Sequence, residues 1–108
     1  MIQETIVSSL SPLINGKVYA LIAPQNTVPP YITFQRIGKY DTQTMEGTES
    51  LDLARFQISI YSKKYSESVT ICESVKNALA GKALLIGHTE DYEEEGLLFS
   101  QKVDFKIS

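Results

Sequence analysis

The stretch from Val18 to Arg36 reads Val-Tyr-Ala-Leu-Ile-Ala-Pro-Gln-Asn-Thr-Val-Pro-Pro-Tyr-Ile-Thr-Phe-Gln-Arg. Its three prolines fall within seven residues, at positions 24, 29 and 30. Proline lacks the backbone N–H that a helix interior needs, and it restricts the preceding residue to extended conformations. We therefore predict a short strand over Val18–Ala23, a stiff loop over Pro24–Pro30 and a second strand over Tyr31–Tyr40.

The predicted strand over Tyr31–Tyr40 carries apolar residues on both of its faces. Successive side chains of a strand point in opposite directions, so Ile32 and Phe34 share one face. Tyr31, Thr33 and Ile37 share the other. The alternation leaves open which face meets the core. The second face has enough apolar surface to pack against a neighbouring subunit.

The rest of the chain alternates between amphipathic and extended patterns. Apolar residues at helical spacing predict helices over residues 2–14, where Pro12 makes the last turn irregular, and over residues 66–80, which end at Gly81. Period-two alternation predicts further strands, and polar runs predict loops. The strands are Leu51–Tyr61, a short Ala83–Ile86 and Leu97–Ile107, and the loops are Gly38–Ser50 and Gly87–Gly96.

This order of elements predicts an α+β fold, with a small, mostly antiparallel sheet and two helices packed on one face. The 108 residues suit a single domain over 1–108. With 43% hydrophobic and 21% charged residues, the composition is that of a folded chain rather than a disordered one.

Charge and cysteine content exclude several classes of protein. The net charge is −3 and the basic residues are scattered, so we expect no direct nucleic-acid binding. No apolar run approaches the ~18 residues of a membrane span, so we expect no membrane contact. One cysteine leaves no disulfide within the monomer and makes a four-ligand zinc site very improbable.

The sequence offers no convincing catalytic set. His88 is the one histidine and lies in the predicted loop, without a serine in a nucleophile-elbow context. Cys72 falls on the apolar stripe of the second helix, where a buried structural thiol is expected, and Glu73 beside it disfavours a reactive thiolate. We assign no catalytic, cofactor-binding or metal-binding residue and expect no enzyme. A hydrolase using His88 and the acidic loop is the weakest hypothesis.

Five carboxylates lie within six positions near the end of the chain. A solvated acidic loop explains them best, and a surface that steers a basic partner is the next reading. Such a cluster can also bind a hard cation, but it lacks the alternating spacing and central glycine of an EF-hand loop. The residues are Glu90, Asp91, Glu93, Glu94 and Glu95.

Several short motifs occur in a distinctive order over residues 2–107. An amphipathic helix comes first, followed by the motifs Val18-Tyr19, Ala23-Pro24-Gln25 and Pro30-Tyr31. After a polar loop comes the strand Arg55-Phe56-Gln57-Ile58-Ser59-Ile60-Tyr61, and a helix and an acidic turn follow it. This order resembles the small phage and prophage tail-completion, or tail-terminator, proteins that join tails to heads. The chain departs from the family at Ala20, where members often have proline.

The resemblance implies a structural virion protein. Such proteins form rings, commonly hexamers, that cap the head-proximal end of the tail tube and meet the head connector. The resemblance further implies that the chain forms homo-oligomers and contacts the tail tube protein and the connector. It also implies a location in the virion, with assembly in the host cytoplasm. A small non-enzymatic adaptor or regulatory module with an exposed sheet edge is the alternative.

Under either hypothesis the chain acts through a surface. We predict that the subunit or partner interface draws on the proline-bounded loop, the second face of the Tyr31 strand, the polar loop and the acidic loop. The candidate residues are Pro24, Gln25, Pro30, Tyr31, Thr33, Ile37, Tyr40, Met45, Glu93, Glu94 and Glu95.

Overall fold

The computed structural model describes residues 2–37, 54–94 and 96–107. Two helices and five strands occur in these ranges. They are α1 (Ile2–Leu10), β1 (Val18–Ala20), β2 (Tyr31–Arg36), β3 (Ala54–Ser62), α2 (Tyr65–Leu79), β4 (Leu84–Glu93) and β5 (Leu98–Ile107), with a 3₁₀ turn at Ser11–Leu13 after α1. The α+β class is confirmed, and the predicted polar loop Gly38–Ser50 lies outside the described residues.

The five strands form one mixed sheet in the order β1-β2-β3-β5-β4. Three neighbouring pairs are antiparallel, whereas β1 runs parallel to β2, so the antiparallel description holds for most of the sheet only. The parallel pair arises because the proline-bounded loop returns the chain to the end of the sheet where β1 began. The peptide bond between Pro29 and Pro30 in this loop is cis.

One face of the sheet carries the core. Ile32 and Phe34 of β2 point to this face, which settles the orientation that the alternation left open. Both helices pack on it, α1 through Ile6 and Leu10 and α2 through its apolar stripe. The remaining buried core residues are Ile14, Val18, Phe56, Ile58, Ile60, Cys72, Val75, Leu79, Val103 and Phe105.

The observed ends of β1 and α1 differ from the predicted ends for local reasons. β1 ends at Ala20, three residues earlier than expected, because Leu21 adopts a left-handed conformation with φ of 68° that no strand continues. α1 gives way to the 3₁₀ turn at Ser11, next to Pro12, which removes a helical hydrogen bond. The second helix stops as predicted at Gly81, whose φ of 83° suits glycine.

β4 is the main correction to the predicted fold. A short strand followed by an acidic loop over Gly87–Gly96 was expected, but a ten-residue strand runs from Leu84 to Glu93. Its backbone pairs with β5 along nearly its whole length, with an irregularity between Leu85 and Gly87. In the described part of the chain it forms an edge of the sheet, and nine of its ten residues are exposed. Such a strand gives no alternating burial signal, which is why its second half reads as a loop.

Candidate functional site: an interaction surface

The face of the sheet opposite the helices holds part of the predicted interface. Tyr31 stacks on Tyr61 of β3, with ring centroids 5.1 Å apart and an angle of 30° between the planes. Burial, followed by the electrostatic effects of Tyr61 and Glu93, raises the pKa of Tyr31, so the phenol stays neutral at physiological pH. Thr33 shares this open face but is only 8% exposed. The tyrosine pair therefore presents more surface than the threonine.

The end of β2 and the loop before it lie at the β1 side of the sheet. Ile37 is half-buried, and its N–H donates to the carbonyl of Arg55 at 2.8 Å, just beyond the last residue of β2. Pro24 and Gln25 are exposed, whereas Pro30 is half-buried at the start of β2.

A set of hydrogen bonds shapes the loop between β1 and β2. Thr27 donates from its backbone N–H and from its hydroxyl to the carbonyl of Pro24, at 3.2 and 2.5 Å. Lys17 Nζ donates to the carbonyl of Val28 at 2.9 Å and so ties the loop to the start of β1. Leu21, Ile22 and Val28 are 69%, 77% and 68% exposed, which leaves an apolar surface beside the sheet edge.

The acidic residues lie at the other edge. Glu93 is the last residue of β4 and Glu94 follows it, both exposed. Asp91 and Glu93 point to the open face, the face of Tyr31, and the carboxylate of Glu93 contributes to the raised pKa of Tyr31. Of the predicted interface residues, Tyr40, Met45 and Glu95 lie outside the described residues.

His88 lies on β4 and not in a loop, and it takes part in a polar cluster that the sequence did not predict. Its Nε2 lies 2.6 Å from Gln101 Oε1, and Gln101 Nε2 donates to Ser68 Oγ at 3.1 Å. Gln101 and Ser68 are fully buried between α2 and the sheet. The available signal was Gln101 itself, a polar residue in the apolar row of β5.

The cluster does not form an activated thiol. Cys72 is fully buried as predicted, and its Sγ lies 3.7 Å from His88 Nε2. Because Gln101 Oε1 accepts a hydrogen bond, Nε2 carries the proton, and Nδ1 accepts from Lys76 Nζ at 3.1 Å. The nitrogen that faces the sulfur is thus a donor, and burial raises the pKa of Cys72 against the smaller lowering effect of Lys76.

Two further observations concern ligands and membranes. Within residues 2–37, 54–94 and 96–107, no three histidine, cysteine or acidic side chains lie close enough together to hold a metal ion. In the same part of the chain, no helix combines the length and apolarity needed to cross a bilayer.

Comparison with protein families identifies the chain. The family model described as tail completion protein gp17 matches residues 7–107. This protein belongs to the tail completion protein gp17 family. The resemblance drawn from the order of motifs is thereby confirmed, and the chain is a structural protein of a phage tail.

The fold of this tail completion protein also occurs in a solved particle. A chain in the structure titled "Virion of native gene transfer agent (GTA) particle" superposes with a TM-score of 0.77 at 14% identity, over 98% of this chain and 92% of that chain. At this identity the match shows a shared fold. A comparison with curated proteins found no significant match.

For this tail completion protein we expect Cys72 to react slowly with iodoacetamide in the folded state. A buried thiol with a raised pKa remains protonated at neutral pH, and the thiolate is the reactive form. Alkylation at pH 7.5 should be at least about tenfold slower than in urea, where burial is lost. Mass spectrometry over a time course measures both rates, and equal rates would show that Cys72 is accessible.

Proposed function

We propose that this protein assembles into a ring, commonly a hexamer in proteins of this kind, that closes the head-proximal end of a tail tube. The tail tube protein would lie on one side of the ring and the head connector on the other. The single observation that carries the proposal is the family match over residues 7–107. The likeness to a chain of a virion particle supports a fold suited to such an assembly.

The described surface suits contacts between subunits better than a substrate site. The open face presents the stacked Tyr31–Tyr61 pair, and both edges of the sheet carry exposed apolar side chains. Exposed apolar groups of this kind are typical of surfaces that become covered on assembly. Pro24, Gln25 and Ile37 on the β1 side and Glu93 and Glu94 on the β4 side are the described residues that we assign to the interface.

The proposed role requires no chemistry. The Cys72–His88 pair lacks a base directed at the sulfur, and the protein acts by binding in the virion after assembly in the host cytoplasm. The tyrosines and carboxylates of the surface then serve to orient neighbours. Rim charges of this kind set specificity and association rate more than affinity.

Deletion of the gene from the phage or induced prophage that encodes the chain tests the proposal. We expect full heads and separate tails, with tubes of uncontrolled length, in electron micrographs of the lysate. A plasmid copy of the wild-type gene should restore joined particles, which ties the defect to the loss of this chain. Joined particles with normal tails in the deletion would contradict the proposed function.

A further inference from the structure

We propose that neighbouring copies of this chain join edge to edge, with β4 of one copy docked antiparallel along β1 of the next. The inference rests on the proposed ring function and specifies which surfaces form its subunit contact. Among the described residues, β1 and β4 are the two outermost strands of the sheet. An unpaired edge is a template for a further strand, and a contact between two different edges is the head-to-tail kind that generates rings.

The strand directions within one subunit fix the orientation of this contact. β1 runs parallel to β2, and each later neighbour across the sheet reverses direction, so β4 runs opposite to β1. A second copy placed beside the first in the same orientation therefore brings its β4 antiparallel to β1. Two backbone groups at the β1 edge are already bonded within the subunit, since the N–H of Val18 donates to the carbonyl of Gly16 at 2.9 Å and the N–H of Ile22 donates to that of Ala20 at 2.7 Å. The docked strand must therefore compete with these local hydrogen bonds.

The pairing register shows which residues then lie level with each other. Ala20 pairs with Phe34, and this row continues through Ile58 and Val103 to His88. Leu21 and Ile22, which follow Ala20, thus lie at the end of the sheet where β4 begins. That beginning is the apolar run Leu84, Leu85 and Ile86, which is 65%, 46% and 41% exposed.

The opposite end of the contact is complementary in charge. Lys17 precedes Val18 and is level with Tyr31, and the row from Tyr31 reaches Asp91 through Tyr61 and Ser100. An unstaggered copy therefore brings Lys17 level with Asp91, with Glu90 and Glu93 nearby along β4. In the single subunit Lys17 Nζ donates to the carbonyl of Val28 and Asp91 lies 4.0 Å from Lys102 Nζ, so the new ion pair must compete with these two contacts. Apolar groups meet apolar groups at one end while opposite charges meet at the other.

A groove at the β1 edge offers space for this occupant. β1 stops at Ala20 while β2 continues to Arg36, and the gap beyond β1 is a groove of about 300 Å³. Leu21, Phe34 and Phe56 are among the residues that line it. Leu85 pairs with Phe105, Phe105 with Phe56, and Phe56 with Arg36 at the end of β2. Leu85 of the docked copy is therefore level with this groove.

A symmetric contact between two β4 strands fits less well. Antiparallel pairing over the full strand places Leu84 against Glu93 and Ile86 against Asp91, because the strand is apolar at one end and acidic at the other. Apolar side chains would then cover carboxylates, which costs free energy wherever the charge loses water. The head-to-tail arrangement avoids this, and it leaves both edges of the sheet covered in a closed ring.

Two edge-blocking variants of the full chain test the inference in solution. Ile22→Lys adds a charge at the β1 edge and Ile86→Lys adds one at the β4 edge, both at exposed positions. In analytical ultracentrifugation up to millimolar concentration, we expect wild type to form closed oligomers. Each variant alone should associate about a hundredfold more weakly, and a one-to-one mixture should form dimers through its one intact contact.

The controls separate this contact from the alternatives. Leu97→Lys changes a similarly exposed leucine in the turn between β4 and β5 and should assemble like wild type. Lys17→Glu and Asp91→Lys should each weaken association about threefold or more, and the double reversal should restore it. Circular dichroism confirms that each variant is folded, since all the changed side chains except Lys17 are exposed and Lys17 is only half-buried.

Several outcomes would overturn the inference. Wild type that stays monomeric at millimolar concentration, variants that assemble like wild type, or Ile22→Lys dimers that form without a partner variant each contradict head-to-tail edge pairing. Failure of the proposed function is recognised separately, because it appears as normal joined particles in the deletion phage. Particles that need the protein but tolerate both edge variants would show a ring built through another surface.

Discussion

Replacing Phe56 by alanine is expected to lower the free energy of unfolding by about 3–5 kcal/mol, the usual cost of emptying a large buried aromatic site. Phe56 is 1% exposed on β3, the middle strand of the sheet, and lies directly opposite Phe105 of β5. Domains of this size are stable by about 5–15 kcal/mol, so the variant retains little stability. Urea denaturation followed by circular dichroism measures the change.

Phe99→Ala is the matched control for this prediction. Phe99 is half-buried, with its ring centroid 4.7 Å from that of Tyr92 and 5.8 Å from that of Tyr65. Since less surface is removed from the core, we expect a loss of about 1–2 kcal/mol. Equal losses in the two variants would show that the core is not centred on the β3–β5 contact.

Gln101→Ala is the second change with a large expected effect. Gln101 is fully buried, accepts a hydrogen bond from His88 and donates one to Ser68. Alanine leaves a cavity and removes the hydrogen bonds to both His88 and Ser68. We therefore expect a loss of about 2–4 kcal/mol in the free energy of unfolding. A buried polar group is costly unless it is bonded, and here both ends of the amide are bonded.

Gln57→Ala provides the comparison on the opposite face of the same sheet. Gln57 is half-buried and donates to Asp104 at 3.3 Å, so its removal should cost less than about 1 kcal/mol. Combining Gln101→Ala with Ser68→Ala should give a loss smaller than the sum, because the two residues share a hydrogen bond. Strict additivity would mean that this bond contributes nothing to stability.

The core of the protein was predictable from local patterns. Along β3 the apolar residues Phe56, Ile58 and Ile60 alternate with polar ones, and all three are buried in the core. Helical spacing identified Cys72 as a core residue. These signals are strong because one side of each element is buried and the other is solvated. Burial on one side leaves a period in the sequence that can be read without knowing the partner element.

The proposed contact surface was only partly predictable. Tyr31 and Glu93 were both candidates, but their common location on the open face follows from the pairing of four strands. Leu85 and Ile86 were assigned to a short strand, and nothing in the sequence placed that strand at an edge. Residues that come from distant parts of the chain share a surface only through tertiary pairing.

By itself, the sequence determined the α+β class, the buried faces of the main elements, the presence of a proline-bounded loop between the first two strands and, through the order of its motifs, the family. Only the tertiary structure decided that β1 pairs in parallel with β2, that Gln101 is bonded inside the core, and that the acidic segment is an edge strand. The physical reason is the same in each case. Backbone pairing and polar contacts depend on residues far apart in the chain, whereas burial leaves a local periodic record.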